Sequence, residues 1–216
     1  MAIVFDFDGV LVDSVAPVTS SINAALHEHG LDERPLAELL PLIGPPTYLA
    51  FSGLLGQSPD APLVSAVVTT YRSHYKAVYL TQTAVFDGVE AMLEQLSAHH
   101  ALALATSKSS DFARPLLEAL GLAHHFTVVA AADPFSADED KSAIVGRALA
   151  ELGESYGAMV GDSSFDMVAA RDHGLRAIGA GWGVGSESEL RDAGAEVVAA
   201  TPAELVALLV GDVPAR

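Results

Sequence analysis

The sequence predicts an α/β fold, a parallel sheet interrupted near its start by a helical insertion, and three observations predict it. Short β-branched or aliphatic runs bounded by Asp, Gly or Ser recur through the C-terminal two thirds with helical patterns between them, the alternation that parallel sheets require. Between the first of those runs and Thr83 the alternation stops, and apolar residues recur instead at helical spacing: Val15, Val18, Ile22 and Leu26, then Leu63, Val67, Tyr71, Tyr75 and Val78. The chain has 216 residues, 50% hydrophobic and 18% charged, which is enough for one sizeable core with a modest insertion and excludes a disordered, collagenous or coiled-coil chain.

The first strand is expected at residues 3–8, where the run Ile-Val-Phe leads into two aspartates. No convincing strand follows before Thr83. That interval of roughly 70 residues is far too long for a βα loop, so a small helical bundle over the mouth of the sheet is expected there. Its longest uncharged stretch, residues 39–59, has the length to span a bilayer, but Pro41, Gly44, Pro45, Pro46, Gly53, Gly56 and Pro59 break it into short helices and loops. Further strands are expected at 101–106, 126–131, 157–162, 175–179 and 196–199. Helices are expected at 88–98, 111–120, 139–152, 164–173, 187–193 and 202–210, several of them closed by glycine.

Charge and composition narrow the function. Eleven Lys plus Arg against 28 Asp plus Glu give a formal charge of −17, so a general electrostatic footprint for nucleic acid or an anionic membrane is missing and an anionic substrate must be held locally. There is no cysteine, which excludes disulfides, thiolate metal sites and cysteine nucleophiles and fits a reducing compartment. The opening Met-Ala-Ile-Val-Phe-Asp-Phe-Asp has no basic flank and does not resemble a secretion signal; a cytoplasmic protein is expected.

Parallel sheets bind ligands beyond the carboxyl ends of their strands, and the polar residues expected there form a set. Asp6 and Asp8 close the first strand; Thr106, Ser107 and Lys108 close the second; Lys141 opens the helix after the third; Asp162 and Asp166 follow the fourth. Any one of these alone reads equally well as a helix cap. Together they read as chemistry. Two carboxylates two residues apart on an extended strand face the same side and call for a cation, and Asp162 and Asp166 add hard oxygen ligands that suit magnesium. The chain has three lysines, Lys76, Lys108 and Lys141, and two of them fall at this edge, where an ammonium can neutralise carboxylate and phosphate.

In this order the motifs Asp6-Phe-Asp8-Gly-Val-Leu, Leu-Ala-Thr106-Ser-Lys, Lys141 and Gly-Asp162-Ser-Ser-Phe-Asp166 resemble those of the haloacid dehalogenase-like hydrolases over nearly the whole chain. Asp13-Ser14, Ile43-Gly-Pro-Pro46, Phe86-Asp-Gly-Val89 and Gly181-Trp-Gly-Val-Gly185 look like the phosphoglycolate phosphatase-type members with a small helical cap. The third motif departs from the pattern, since Ser142 stands where proline is commoner. The resemblance implies a Rossmann-like parallel-sheet core formed by residues 1–14 and 83–216 and an α-helical cap formed by residues 15–82. It implies a phosphatase acting on a small phosphorylated metabolite, with Asp6 as nucleophile and Asp8 as acid and then base. Thr106, Ser107 and Lys141 would hold the phosphoryl group. Magnesium would be held by Asp6, the backbone carbonyl of Asp8, Asp162 and Asp166, the last directly or one shell out. Lys108 could be a mere neighbour of its motif.

Other readings are weaker. Dehalogenase and phosphonatase members lack the second aspartate that Asp8 supplies, and Lys76 reads as a solvated helix residue. A sugar-phosphate mutase would keep both aspartates; a receiver-like phospho-acceptor domain would lack the insertion. The eight histidines offer no metal spacing, most sitting at helix ends, as His27 and His29 before Gly30, His99 and His100, and His173 before Gly174. The run from Gly179 to Gly185 lacks a dinucleotide-binding register and reads as a flexible loop. Within the insertion Thr47, Tyr48, Arg72, His74 and Lys76 are the candidates to reach a leaving group, whether a carboxylate-bearing one such as phosphoglycolate or an aromatic one. Oligomeric state has no signal in the sequence.

Overall fold

The structure, a computed structural model, describes residues 1–133 and 139–210; residues 134–138 and 211–216 of the expected core span lie outside the described residues. A six-stranded sheet runs in the order β5 (Val128–Ala132), β4 (Ala101–Ser109), β1 (Ala2–Phe5), β6 (Gly157–Gly161), β7 (Arg176–Ala180), β8 (Val197–Ala199), every pairing parallel. β1 is buried along its whole length because it is central and covered on both faces. Ile3 and Phe5 point into one apolar layer, with helices α5 (Val89–Ser97), α6 (Ser110–Ala119) and α10 (Pro202–Val210). Ala2 and Val4 point into the other, with α7 (Lys141–Leu152), α8 (Ser164–Asp172) and α9 (Glu187–Asp192). The chain builds outward from β1 in both directions, so the carboxyl ends of β4, β1 and β6 sit side by side at the point where strand order reverses.

The expected strands and helices are present, with ends moved by one to three residues. Two ends move by three residues, one of them at the front. The expected strand 3–8 stops at Phe5, because Phe7 accepts hydrogen bonds from the backbones of Leu11 (2.9 Å) and Val12 (3.1 Å), closing a tight turn that Gly9 enters at φ +77°. β4, conversely, continues past Thr106 to Ser109 through a register shift. The interval expected to hold no strand carries a short one: β2 (Val12–Asp13) pairs antiparallel with β3 (Ala84–Val85). Two-residue strands have no periodicity to read. This ribbon is where the chain leaves the sheet and where it returns.

Between β2 and β3 lie α1 (Val15–Glu28), α2 (Leu36–Leu39), a 3-10 turn at Leu40–Leu42, α3 (Thr47–Leu55) and α4 (Pro62–Gln82). The proline-rich stretch forms short helices, and no helix among the described residues is long and apolar enough to cross a membrane. α4 begins at Pro62, whose missing N–H costs nothing at a first helical position. α1 packs against α4, burying Val18, Ile22 and Leu26 in the same layer as Val64, Val67 and Tyr75. Two histidines tie the pair together: His29 bonds Thr70 (2.9 Å) and His74 pairs with Glu28 (2.7 Å). α4 also reaches the sheet domain, laying Tyr75 and Tyr79 edge-on against Phe112 of α6 at 5.1 and 5.2 Å between ring centres.

Candidate active site

The polar set assembles at the switch point. Asp6 leaves β1 with its backbone N–H still bonded to Val160 of β6 (3.0 Å), and its carboxylate is buried. Lys141, the first residue of α7, is buried to 3% exposure and lies 2.6 Å from Asp6 Oδ1 and 2.9 Å from Asp166 Oδ1. Both contacts pair the ammonium directly with a carboxylate oxygen. Asp166 is fixed from its other side as the third residue of α8, Oδ2 accepting from the Ser163 N–H (3.1 Å) and hydroxyl (2.6 Å) in a capping box. Asp162, just past β6, accepts from the Val184 N–H at 2.8 Å.

Carboxylate oxygens of Asp6, Asp162 and Asp166 lie within 4.8 Å of one another, all three residues buried. One ammonium faces three carboxylates. Burial pushes Asp6 from 3.8 up to about 7, with Lys141 pulling it back and Asp166 and Asp8 adding to the rise. Asp162 is pushed well above the carboxylate range by burial, then by Asp166 and Asp6. Lys141 is held above the ordinary lysine range: burial opposes its charge, but Asp166 and Asp6 outweigh that. A buried, oxygen-only cluster with excess negative charge is the donor set of a hard divalent cation, so the residues present fit magnesium.

Asp8 is placed differently. It lies in the turn after β1 beside Asp6, and the two line one cleft with Thr106 and Ser107. Its carboxylate is not part of the three-aspartate cluster; Oδ2 pairs with Lys108 Nζ at 2.9 Å. Lys108 is therefore in direct contact with the first motif. The Thr106 hydroxyl accepts from the Lys108 N–H (3.1 Å), which leaves its own proton free, and the Ser107 hydroxyl is buried with no hydrogen-bond partner among the described residues.

The cleft's opposite wall comes from the insertion: Ile43, Thr47, Tyr71 and Arg72 face it. Of the five insertion residues expected to reach a leaving group, Thr47 and Arg72 are there, and Tyr48, His74 and Lys76 are not. His74 is occupied by Glu28, and Lys76 is exposed. Arg72 spans to the sheet domain, 3.2 Å from the Ser109 hydroxyl and 3.5 Å from Asp111, with its guanidinium 5.5 Å from the centre of the Phe112 ring.

The glycine run after β7 is not the flexible loop expected. Gly179 and Ala180 belong to the strand, the Trp182 indole N–H donates to the Val10 carbonyl (2.9 Å), and the backbone then lies directly on Asp162. A Cβ on Gly183 would come within 2.4 Å of the Asp162 Cβ and 2.5 Å of the Gly9 carbonyl oxygen, and one on Gly185 within 2.2 Å of the Asp162 carbonyl oxygen. The glycines exist for close approach, a signal that their spacing in Gly-x-Gly-x-Gly carried.

A model of the haloacid dehalogenase-like hydrolases matches residues 3–180. The chain belongs to that family. A 5'-nucleotidase of Pseudomonas aeruginosa is 34% identical over 88% of this chain and 86% of its own length. A phosphoglycolate phosphatase of Cereibacter sphaeroides is 32% identical over 81% and 82%. Among solved structures, a "predicted phosphatase" from Clostridium acetobutylicum superposes with a TM-score of 0.92 at 28% identity, covering 97% of this chain and 98% of that one. This haloacid dehalogenase-like hydrolase is an enzyme of the phosphatase kind, similar to the phosphoglycolate phosphatases.

Proposed function

We propose that the enzyme hydrolyses a small-molecule phosphate monoester with magnesium, through an aspartyl-phosphate on Asp6, as the phosphoglycolate phosphatase-like members of its family would. The observation that supports this best is the division of labour between two neighbouring carboxylates: Asp6 sits in a cation-demanding cluster with Lys141, and Asp8 stands outside it with Lys108. On this reading Asp6, Asp162 and Asp166, with the backbone carbonyl of Asp8, hold the ion. Bound there, magnesium would supply charge neutralisation for the phosphoryl oxygens and so let an anion attack an anion.

The rest follows from the chain's own groups. A carboxylate oxygen of Asp6 forms the new bond to phosphorus while the bond to the ester oxygen breaks, its electron pair leaving with that oxygen. Asp8, protonated, gives its proton to the departing oxygen. Asp8, now ionised, takes a proton from a water that attacks phosphorus, and Asp6 is released with inorganic phosphate. Thr106 and Ser107 offer hydroxyl protons and Lys141 an ammonium to the phosphoryl oxygens, as expected from their motifs. Residues 15–82 act as a cap over the core of residues 1–14 and 83–216, excluding water and contacting the leaving group.

The test is phosphate release with magnesium from a panel of phosphoglycolate, nucleoside monophosphates, phosphotyrosine and hexose phosphates, with Asp8→Asn as control. Turnover of at least one monoester, lost in excess chelator, is expected; no turnover of any member, or undiminished turnover under chelation, overturns the reading.

A further inference from the structure

Lys108 is the one buried ammonium of the site that touches the insertion. Its Nζ lies 2.9 Å from Asp8 Oδ2, donates to the Tyr75 hydroxyl at 2.8 Å, and stands 4.8 Å from the centre of the Tyr75 ring. The two ends of this chain of contacts belong to different parts of the molecule. Lys108 is fixed in β4, where its backbone bonds Thr106. Tyr75 is fixed in α4, 1% exposed, stacked on Tyr71 at 5.7 Å and set edge-on against Phe112. The tyrosine ring is packed hard enough that its hydroxyl position is not free to vary. The contact between them exists only while α4 lies over the carboxyl edge of the sheet.

Asp8 receives the result. One of its oxygens is held by Lys108; the other, Oδ1, is buried and has no hydrogen-bond partner among the described residues, although the side chain lines the cleft. An acid–base group needs one oxygen fixed and the other left to carry the proton: Lys108 fixes the plane of the Asp8 carboxyl through Oδ2, and Oδ1 is the atom left to carry it.

We propose that Lys108 and Tyr75 are positioning residues for Asp8: the Tyr75 hydroxyl holds the Lys108 ammonium, and Lys108 turns Asp8 so that its free oxygen meets the leaving group only under the seated α4. This rests on the reading of Asp8 as the acid that protonates the leaving oxygen. It makes the insertion part of the acid's placement and not solely a shield.

The experiment compares kcat/KM, which reports transfer of the phosphoryl group to Asp6, for two substrates of the full chain with saturating magnesium. One is p-nitrophenyl phosphate, whose leaving group departs without a proton; the other is the fastest alkyl monoester of the panel above. In Lys108→Met the ratio of alkyl to aryl kcat/KM is expected to fall about tenfold or more, within the range that general acid catalysis supplies. In Tyr75→Phe, which keeps the ring and its packing, it should fall a few-fold, with the aryl value within about twofold of wild type. An unchanged ratio in folded Tyr75→Phe overturns the proposal even where Lys108→Met does not fold. Equal losses on both substrates in Lys108→Met also overturn it, since they assign the lysine to the phosphoryl group. Asp8→Asn separates the two levels: if it lowers the ratio and the other variants do not, the positioning inference alone fails, and if it leaves the ratio unchanged, the acid role of Asp8 fails as well.

Discussion

Lys141 and Lys108 are both buried and both within 3 Å of an aspartate just past β1, yet their surroundings are opposite cases. Around Lys141 there are three buried carboxylates, so the charge does not balance and the pocket calls for a further cation. Around Lys108 there is one carboxylate and a tyrosine hydroxyl, so the charge balances and nothing more is called for. Lys141 is held wholly by the sheet domain, at the start of α7; Lys108 is shared between β4 and the inserted α4. Two lysines that composition cannot tell apart thus stand in different surroundings. On the proposed reading one tunes charge for phosphoryl transfer, and the other transmits geometry from the insertion.

The largest expected effect breaks the charge-dense side. Asp6→Asn keeps the shape of a buried side chain and removes the nucleophile, so kcat in the phosphate-release assay should drop by several powers of ten, each about 1.4 kcal/mol of barrier, while the melting temperature stays level or rises. Turnover within a few-fold of wild type would end the aspartyl-phosphate reading.

Next in size is Lys141→Met set beside Lys108→Met. Removing Lys141 leaves Asp6 and Asp166 without their ammonium; losing one partner of such a buried pair costs on the order of 3–5 kcal/mol, and turnover of aryl and alkyl esters should fall together. Lys108→Met should discriminate between the two esters. Identical profiles for the two variants, measured on both substrates, would erase the distinction between the two lysines.

A third prediction concerns the excess charge directly. Asp6 is raised from 3.8 to about 7 in the folded protein, so the chelated fold binds more protons than the unfolded chain between those values. Stability of the chelated protein should therefore fall as pH rises from about 4 through about 7, and Asp162, raised in the same sense, adds to the fall. Saturating magnesium should flatten that slope. Thermal melts at several pH values with chelator and with magnesium measure it, and parallel curves would mean that the cluster does not take the ion.

The sheet and its helices were legible because each has a period: the aliphatic runs of β1, β4 and β6 and the helical stripes of α1 and α4 recur often enough to be counted. The carboxyl-edge residues were legible because consecutive parallel strands end at one edge, whatever their exact length. What stayed hidden was everything made by contact between distant segments. Asp8 and Lys108 are 100 positions apart and meet only when the turn at Phe7–Val12 closes and β4 runs on past Thr106. Trp182 reaching Val10, and Gly183 and Gly185 lying on Asp162, belong to the same kind. β2 and β3 are too short to show a pattern at all.

The smallest expected effect lies at the motif that departs from its family, where Ser142 follows Lys141. In the structure Ser142 is the second residue of α7; its hydroxyl donates to Asp172 at 3.0 Å and its backbone carbonyl accepts from His173 at 2.7 Å, joining α7 to α8. Asp140 caps the helix through the Ala143 N–H (2.7 Å) and is independent of residue 142. Ser142→Pro therefore loses two side-chain contacts, the hydrogen bond to Asp172 and a longer one to His173 Nε2 at 3.3 Å, each worth roughly 0.5–1.5 kcal/mol at most. It keeps the carbonyl contact and gains about 0.4–1 kcal/mol from a stiffer unfolded chain, since proline is tolerated in a helix's first turn. The melting temperature should move by no more than a few degrees, and kcat/KM should stay within about twofold of wild type because Lys141 keeps both of its carboxylate partners. A loss beyond tenfold with the fold intact would show that the hydroxyl, through α8 and Asp166, sets the position of the ammonium, and the serine would then be part of the charge-dense side and not a neutral exchange.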